Sequence, residues 1–265
     1  MTTTRVGIIG VGNMGEALLA GLLHSGTSAD NIIFAQRSPE RASYISSKYG
    51  VSQRTLQEVA QSELILLCVK PKDIAAMCTE IKDDLKAGSV LVSVAAGKTI
   101  SGIQSIVGPD IGVIRVMPNT PTFIGKGAAG ISFGAGVSPA QSEFVTNFLS
   151  SSGIVVEVPE ELQSAVTAMS GSGPAYFFAF VEAMVESGKK LGLSEEVASQ
   201  LAIQTIAGAA GMLQESGKSA RELRENVTSP NGTTFAALTT FEEKGLAQMV
   251  EAAMAASAKR SQELA

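Results

Sequence analysis

With 265 residues, 45% of them hydrophobic, the chain can bury one large core or two modest ones. A formal net charge of −5 without any run of Lys or Arg argues against a nucleic-acid partner, and apolar stretches broken by charge, proline or glycine leave no span to cross a bilayer. One histidine and two cysteines, Cys68 and Cys78, argue against a metal site or a disulfide framework.

The start, Met1-Thr2-Thr3-Thr4-Arg5, has neither the charged nor the apolar region of a signal peptide, which sets the expectation of a cytoplasmic protein. It runs into an apolar strand, Val6-Gly7-Ile8-Ile9, and then into Gly10-Val11-Gly12-Asn13-Met14-Gly15. An amphipathic helix follows, from Glu16 to about His24. Strand, Gly-x-Gly-x-x-Gly and helix, in that order, form the dinucleotide fingerprint. Gly10 permits the tight turn, Gly12 leaves room for a pyrophosphate, and Gly15 lets the helix pack on the strand. The helix N-terminus offers unpaired N–H groups and partial positive charge. His24 falls in the last turn of that helix, where it favours the dipole. Acid–base chemistry in this chain therefore has to do without imidazole.

The second strand, Asn31 to Ala35, ends in Gln36-Arg37-Ser38-Pro39. An NAD-preferring site places Asp or Glu here for the ribose 2′-hydroxyl. This chain offers a guanidinium and a hydroxyl, which suit a 2′-phosphate, so NADP(H) is the expected cofactor and NAD(H) the alternative. An Arg that is merely a solvated surface residue is the competing reading.

Helix (Glu40 to Tyr49), short strand (Gly50-Val51) and short helix (Leu56 to Gln61) come next. Leu64 to Val69 is continuously apolar, as a strand buried on both faces would be, and stops at Lys70-Pro71. Lys70 suits a phosphate or carboxamide contact, or is an exposed strand-end lysine; the pattern leaves both open. Helix (Lys72 to Asp84), strand (Val90 to Val94, ending in Ala95-Ala96-Gly97), helix (Ile100 to Ile106) and strand (Gly112 to Val116, leading into Met117-Pro118-Asn119-Thr120-Pro121) continue the alternation. Strands at Gly130–Phe133 and Gly153–Val158 flank a helix from Pro139 to Ser151. The alternation implies an α/β Rossmann-type fold with a doubly wound parallel sheet, whose ligands bind outside the carboxyl ends of the strands.

Beyond Pro159 the reading is helical: Glu160–Ser170, Pro174–Leu191, Ser194–Gln214, Ala220–Glu225, Phe235–Glu243 and Leu246–Glu263. The expected division is a dinucleotide-binding domain over 1–158 and an all-α domain over 159–265. Ala175 to Val181 is apolar all round, which points to a core or to an interface in a homodimer; a compact helical monomer is the alternative. Thr228-Ser229-Pro230-Asn231-Gly232-Thr233-Thr234 precedes a helix. Its free N–H groups and hydroxyls suit a small carboxylate, and equally suit simple N-capping. Gly171-Ser172-Gly173-Pro174 either shapes a pocket wall or makes a tight helix–helix turn.

The glycine turn, Cys68-Val69-Lys70-Pro71, Ala95-Ala96-Gly97, Met117-Pro118-Asn119-Thr120-Pro121, Ser170-Gly171-Ser172-Gly173-Pro174-Ala175-Tyr176 and Thr228 to Thr234 stand in the order found in pyrroline-5-carboxylate reductases. The chain resembles that family over essentially its whole length, and the last two motifs are the specific ones. The resemblance implies reduction of 1-pyrroline-5-carboxylate to L-proline with NAD(P)H, the final step of proline biosynthesis. It also implies a helical dimerisation domain, with dimers assembling further into rings. By matching position, the cofactor is expected at the glycine turn (Gly10, Val11, Gly12, Asn13, Met14, Gly15), at Gln36, Arg37, Ser38 and Thr55, at Val69, Lys70 and Pro71, at Ala95, Ala96 and Gly97, and at Asn226. The substrate carboxylate is expected at Gly232, Thr233 and Thr234, with Glu160, of the same subunit or of the other one, near the product. Two positions depart from the family pattern. Asn231-Gly232 replaces the usual Gly-Gly, which asparagine's tolerance of left-handed angles accommodates. Thr55 stands where Asn is frequent near the adenosine.

Thr234 is the expected catalytic residue, hydrogen-bonding the imine nitrogen. A neutral threonine is a poor acid, so the proton is expected from a protonated substrate or a water. Two rival readings stand beside this one. A β-hydroxyacid dehydrogenase relative would use a lysine of the helical domain, for which Lys189-Lys190 is the candidate. A non-catalytic NADP-sensing dimer would bind cofactor without transferring hydride.

Overall fold

Buried β-branched and leucine residues form the strands that lead to the glycine turn. In the computed structural model, which describes residues 4–264, β1 is Val6–Ile9, β2 Ile32–Ala35, β3 Ser52–Gln53, β4 Leu64–Leu67, β5 Val90–Ser93, β6 Gly112–Met117, β7 Gly127–Phe133 and β8 Gly153–Glu157. Met1, Thr2 and Thr3 of the expected lead-in, and Ala265 at the end of the expected helical domain, lie outside the described residues. The strands make one sheet in the order β3-β2-β1-β4-β5-β6-β7-β8. Because successive side chains point to opposite faces, each central strand feeds two cores. Leu64 and Leu66 join Phe34, Leu18, Leu22 and Phe148 on one face, whereas Ile65 and Leu67 join Val59, Met77, Ile81 and Ile103 on the other. The helices α1 (Asn13–His24), α2 (Pro39–Tyr49) and α6 (Pro139–Ser150) cover the first face; α3 (Leu56–Ala60), α4 (Ile74–Ile81) and α5 (Ile100–Val107) cover the second.

The sheet departs from the all-parallel pattern at one place: β7 runs antiparallel to β6. Residues 118–126 join them with only a 3-10 turn, Thr120–Ile124, which is too short for the dozen or more residues of a parallel crossover. The other pairings are parallel. Two expected helices are also broken. The segment after Lys70 is a 3-10 turn (Pro71–Asp73), α4, and a second 3-10 turn (Lys82–Asp84). The segment from Glu160 is a 3-10 turn, then α7 (Gln163–Val166), then a π-helical turn, Thr167–Gly171.

The chain separates into two compact units. One runs to Ser172 and resumes at Ala256; the other is Gly173–Ala255. The second unit contains α8 (Gly173–Lys190), α9 (Glu195–Glu215), α10 (Ala220–Asn226), α11 (Thr233–Glu243) and most of α12 (Leu246–Glu263). Small residues bring α8 and α9 together: a Cβ at Gly188 would lie 3.2 Å from that of Ala198. Phe180 and Phe241 pair with ring centroids 6.2 Å apart. Many large apolar side chains here stay in the open, among them Phe177 (60% exposed), Phe178, Leu201 and Ile203. Among the described residues, no helix is long and apolar enough to cross a membrane.

Candidate functional site

Strand order reverses between β2-β1 and β4-β5, and a cleft of about 800 Å³ opens at the carboxyl ends of β1, β2 and β4. Gly10 turns with φ +88°, a conformation that L side chains rarely adopt, and its N–H donates to the Ala35 carbonyl at 3.0 Å. A Cβ at Gly15 would overlap the Gly10 carbonyl oxygen, whereas a Cβ at Gly12 would meet nothing within 4 Å. The turn thus packs tightly at its base and lies open where a phosphate would rest. Gly12 is the N-cap of α1, and no side chain caps it. This cradle fits a dinucleotide pyrophosphate.

Gly10, Gly12, Asn13, Met14, Gln36 and Arg37 line the cleft, as do Thr55, Val69 and Lys70. Val11 and Gly15 are buried behind the turn. Ser38 caps α2, accepting from the Arg41 N–H at 3.2 Å. Pro71 starts the 3-10 turn beyond Lys70. The Thr55 hydroxyl caps α3 in a reciprocal box with Glu58, a pattern legible as Thr-x-x-Glu. Arg37 is exposed, and its guanidinium has no hydrogen-bond partner among the described residues. Two cations that sequence reasoning missed, Arg54 and Lys72, share the cleft. Arg54 follows Gln53, which pairs with Phe34, so it arrives beside the end of β2. Only the pairing register reveals that placement.

Behind the turn, Glu16 gathers a cluster from α2. Its carboxylate accepts from Lys48 (2.9 Å), Tyr49 (2.8 Å) and the Arg41 guanidinium. Burial alone would push this carboxyl up. The hydrogen bonds from Lys48, Tyr49 and Arg41, with the charge of Arg41, outweigh burial and hold it at about 2, below its ordinary 4.5. A depressed folded-state value means that the stabilisation is complete above about 4.5 and is lost as pH falls towards about 2. The urea midpoint is therefore expected to drop between pH 5 and pH 3 by less in Glu16→Gln than in the wild type; equal drops would refute the assignment.

Ala95 and Ala96 follow β5 and do not line the main cleft. Gly97, at φ +79°, lies so close to α12 that its Cβ would sit 2.6 Å from the Ser261 carbonyl oxygen. It lines a smaller hollow of about 390 Å³ with Arg115, Glu160 and Ser261. Glu160 Oε1 accepts from the Ile100 N–H at 2.7 Å and from Arg115 Nη1 at 3.2 Å, serving α5 and a guanidinium that is almost fully buried. Removing a partner from a fully buried pair costs about 3–5 kcal/mol. The Glu160 side chain is 29% exposed, so water can partly replace it and the cost falls to about 2 kcal/mol. Glu160→Ala is expected to lose that much stability in a urea titration. Asn119 ties the loop after β6 to the π-turn: its Nδ2 donates to the Ser170 carbonyl at 3.1 Å, and its Oδ1 accepts from the Ala128 N–H at 2.9 Å.

In the second unit, Asn226 ends α10 and is exposed. Asn231 takes φ +58°, the only positive φ outside glycine among the described residues. Gly232 is the N-cap of α11, and no side chain caps it. The Thr228 hydroxyl donates to the Arg224 carbonyl at the end of α10 (2.6 Å), whereas those of Thr233 and Thr234 do not cap α11, which begins at Thr233 with Thr234 half-buried behind it. Lys189, a candidate base of the dehydrogenase reading, donates to Glu186 (2.9 Å) and Glu195 (3.3 Å). Those hydrogen bonds raise its pKa, the opposite of what proton transfer near neutral pH needs.

Residues 160–264 match the family model described as "Pyrroline-5-carboxylate reductase dimerisation", and residues 5–97 match "NADP oxidoreductase coenzyme F420-dependent". The pyrroline-5-carboxylate reductase of Pseudomonas aeruginosa is 41% identical over 100% of this chain and 98% of its own length. A solved pyrroline-5-carboxylate reductase from Coxiella burnetii superposes with a TM-score of 0.92 at 34% identity, covering 100% of this chain and 99% of its own. The Plasmodium falciparum pyrroline carboxylate reductase, solved with NADP bound, gives 0.90 at 28% identity, covering 100% of this chain and 99% of its own. Identity of this degree over the full length of both proteins, together with a shared fold, places the chain in the pyrroline-5-carboxylate reductase family.

Proposed function

We propose that this chain reduces the C=N bond of 1-pyrroline-5-carboxylate to L-proline, the last step of proline biosynthesis, with NADPH preferred over NADH. The supporting observation is the uncapped α1 N-terminus and glycine turn opening on a cleft of about 800 Å³, a volume suited to a cofactor. Reduction of the imine takes one hydride from the bound dinucleotide and one proton. The turn residues Gly10 to Gly15 and the α1 dipole hold the pyrophosphate. Arg37, with Gln36 and Ser38, binds the 2′-phosphate, since the residue that ends β2 is followed by Gln36 and not by the acid that an NAD site places there. Thr55, the segment Val69-Lys70-Pro71, the segment Ala95-Ala96-Gly97 and Asn226 complete the cofactor contacts in this reading.

Gly232, Thr233 and Thr234 bind the substrate carboxylate at the α11 N-terminus, and Thr234 also hydrogen-bonds the imine nitrogen. The proton comes with the iminium or from water, because a neutral hydroxyl is a poor acid. Glu160 contacts the product through Oε2, the oxygen that neither Ile100 nor Arg115 engages. Orienting both reactants accounts for about 7–11 kcal/mol of barrier lowering. The test is NADPH absorbance with and without pyrroline-5-carboxylate. A fall that requires the imine supports the reading. Cofactor binding without any fall would favour a sensing protein and end the enzymatic one.

The functional division falls at 158/159, with the dinucleotide site before it except for Asn226, and the carboxylate site and dimer surface after it. The chain forms a homodimer that covers the exposed Phe177, Phe178, Leu201 and Ile203, and the family resemblance further implies that dimers join into a ring. Sedimentation at micromolar concentration is expected to show a multiple of 27.3 kDa; a clean species at that mass would refute the dimer. A cytoplasmic setting accords with this biosynthetic role.

A further inference from the structure

Arg41 reaches from α2 to the back of the glycine turn. Its Nε donates to the Val11 carbonyl at 2.7 Å, and its Nη2 donates to the Gly12 carbonyl at 3.3 Å. It does not line the cleft, so both carbonyls are engaged from outside it. A trans peptide is planar, with its C=O and N–H on opposite sides. Fixing the Val11 oxygen on Arg41 therefore fixes the Gly12 N–H in the opposite direction, and Gly12 itself lines the cleft. The Gly12 carbonyl is already held by the first bond of α1, from the Glu16 N–H at 2.9 Å. The Val11–Gly12 peptide has no such hold, and glycine on one side makes its rotation easy. Arg41 is itself anchored, since its guanidinium also meets the Glu16 carboxylate and lies 5.2 Å from the centre of the Tyr44 ring.

We propose that Arg41, anchored by Glu16, is a positioning residue of the dinucleotide site: it locks the Val11–Gly12 peptide so that its N–H, and not its oxygen, faces the pyrophosphate. The inference rests on the dinucleotide reading above. The pyrophosphate is common to NADPH and NADH, so the lock acts on both cofactors alike, unlike a 2′-phosphate contact.

The experiment measures dissociation constants for NADPH and NADH by cofactor fluorescence, and kcat at saturating cofactor, on the full-length protein. Arg41→Met, which keeps the apolar stem, is expected to raise both constants about tenfold while kcat stays within twofold. Arg41→Lys is expected to recover part of the loss. Tyr49→Phe removes one hydrogen bond from the same Glu16 carboxylate without touching Arg41. It is expected to lower the unfolding midpoint and leave both constants unchanged. Should Arg41→Met fail to fold, Glu16→Gln frees Arg41 at nearly constant shape and is expected to raise both constants about threefold. Unchanged constants in the Arg41 and Glu16 variants would overturn the inference. So would a loss confined to NADPH, which would make Arg41 a 2′-phosphate contact, or an equal loss in Tyr49→Phe, which would make the effect one of folding. A wild-type chain that binds neither nucleotide would instead overturn the dinucleotide reading itself, and this inference with it.

Discussion

Thr234→Ala is expected to leave NADPH binding intact and to lower kcat about 100-fold, the usual cost of losing one donor aimed at the reacting group. The dinucleotide cradle belongs to the sheet unit, whereas Thr234 lies in the first turn of α11 in the helical unit, so the substitution leaves the cradle's own residues untouched. Folding is expected to be nearly unaffected, because Gly232 is the N-cap and no threonine hydroxyl caps the helix. Single-turnover absorbance with saturating NADPH checks the prediction, and Thr234→Ser, which keeps the hydroxyl, should recover most of the rate. An alanine variant with wild-type kcat would remove Thr234 from the chemistry.

Arg37→Ala is expected to raise the KM for NADPH about 10- to 100-fold and to leave that for NADH within about twofold. Hydrogen bonds to a charged group contribute about 1.5–3 kcal/mol, which converts to that range. The guanidinium is exposed, so its share should shrink as salt rises. Arg54 lies on the same cleft and can keep part of the phosphate affinity in the single variant. The double variant Arg37→Ala/Arg54→Ala is expected to lose what remains. The check is the ratio of kcat/KM for the two cofactors at two ionic strengths. A ratio unchanged from the wild type would return Arg37 to an ordinary surface role.

The residues that were legible beforehand are those whose role is local. Gly10, Gly12 and Gly15 act within one turn: Gly10 takes the positive φ, Gly15 the close contact and Gly12 the open space that the pattern implies. Leu64 to Leu67 reads as a strand covered on both faces, and both faces are covered. Asn231 reads as a residue that tolerates a left-handed angle, and it adopts one. What stayed hidden depends on partners far along the chain. Arg54 enters the cleft through a strand pairing across nineteen residues, Phe34 with Gln53. The Glu16 cluster draws on residues 25 to 33 positions away. Glu160 meets the amide of Ile100 across 60 positions.

By itself the sequence determined the order of strands and helices, the phosphate turn and the helical character after Pro159, because propensity, periodicity and glycine sterics act over a few residues. Only the tertiary structure decided that Arg54 enters the cleft, that Arg41 grips the back of the glycine turn, and that Glu160 meets the amide of Ile100. Each of these depends on which distant backbone or side chain comes within hydrogen-bonding reach. That is set by how the whole sheet and its two cores close, and no local pattern encodes it.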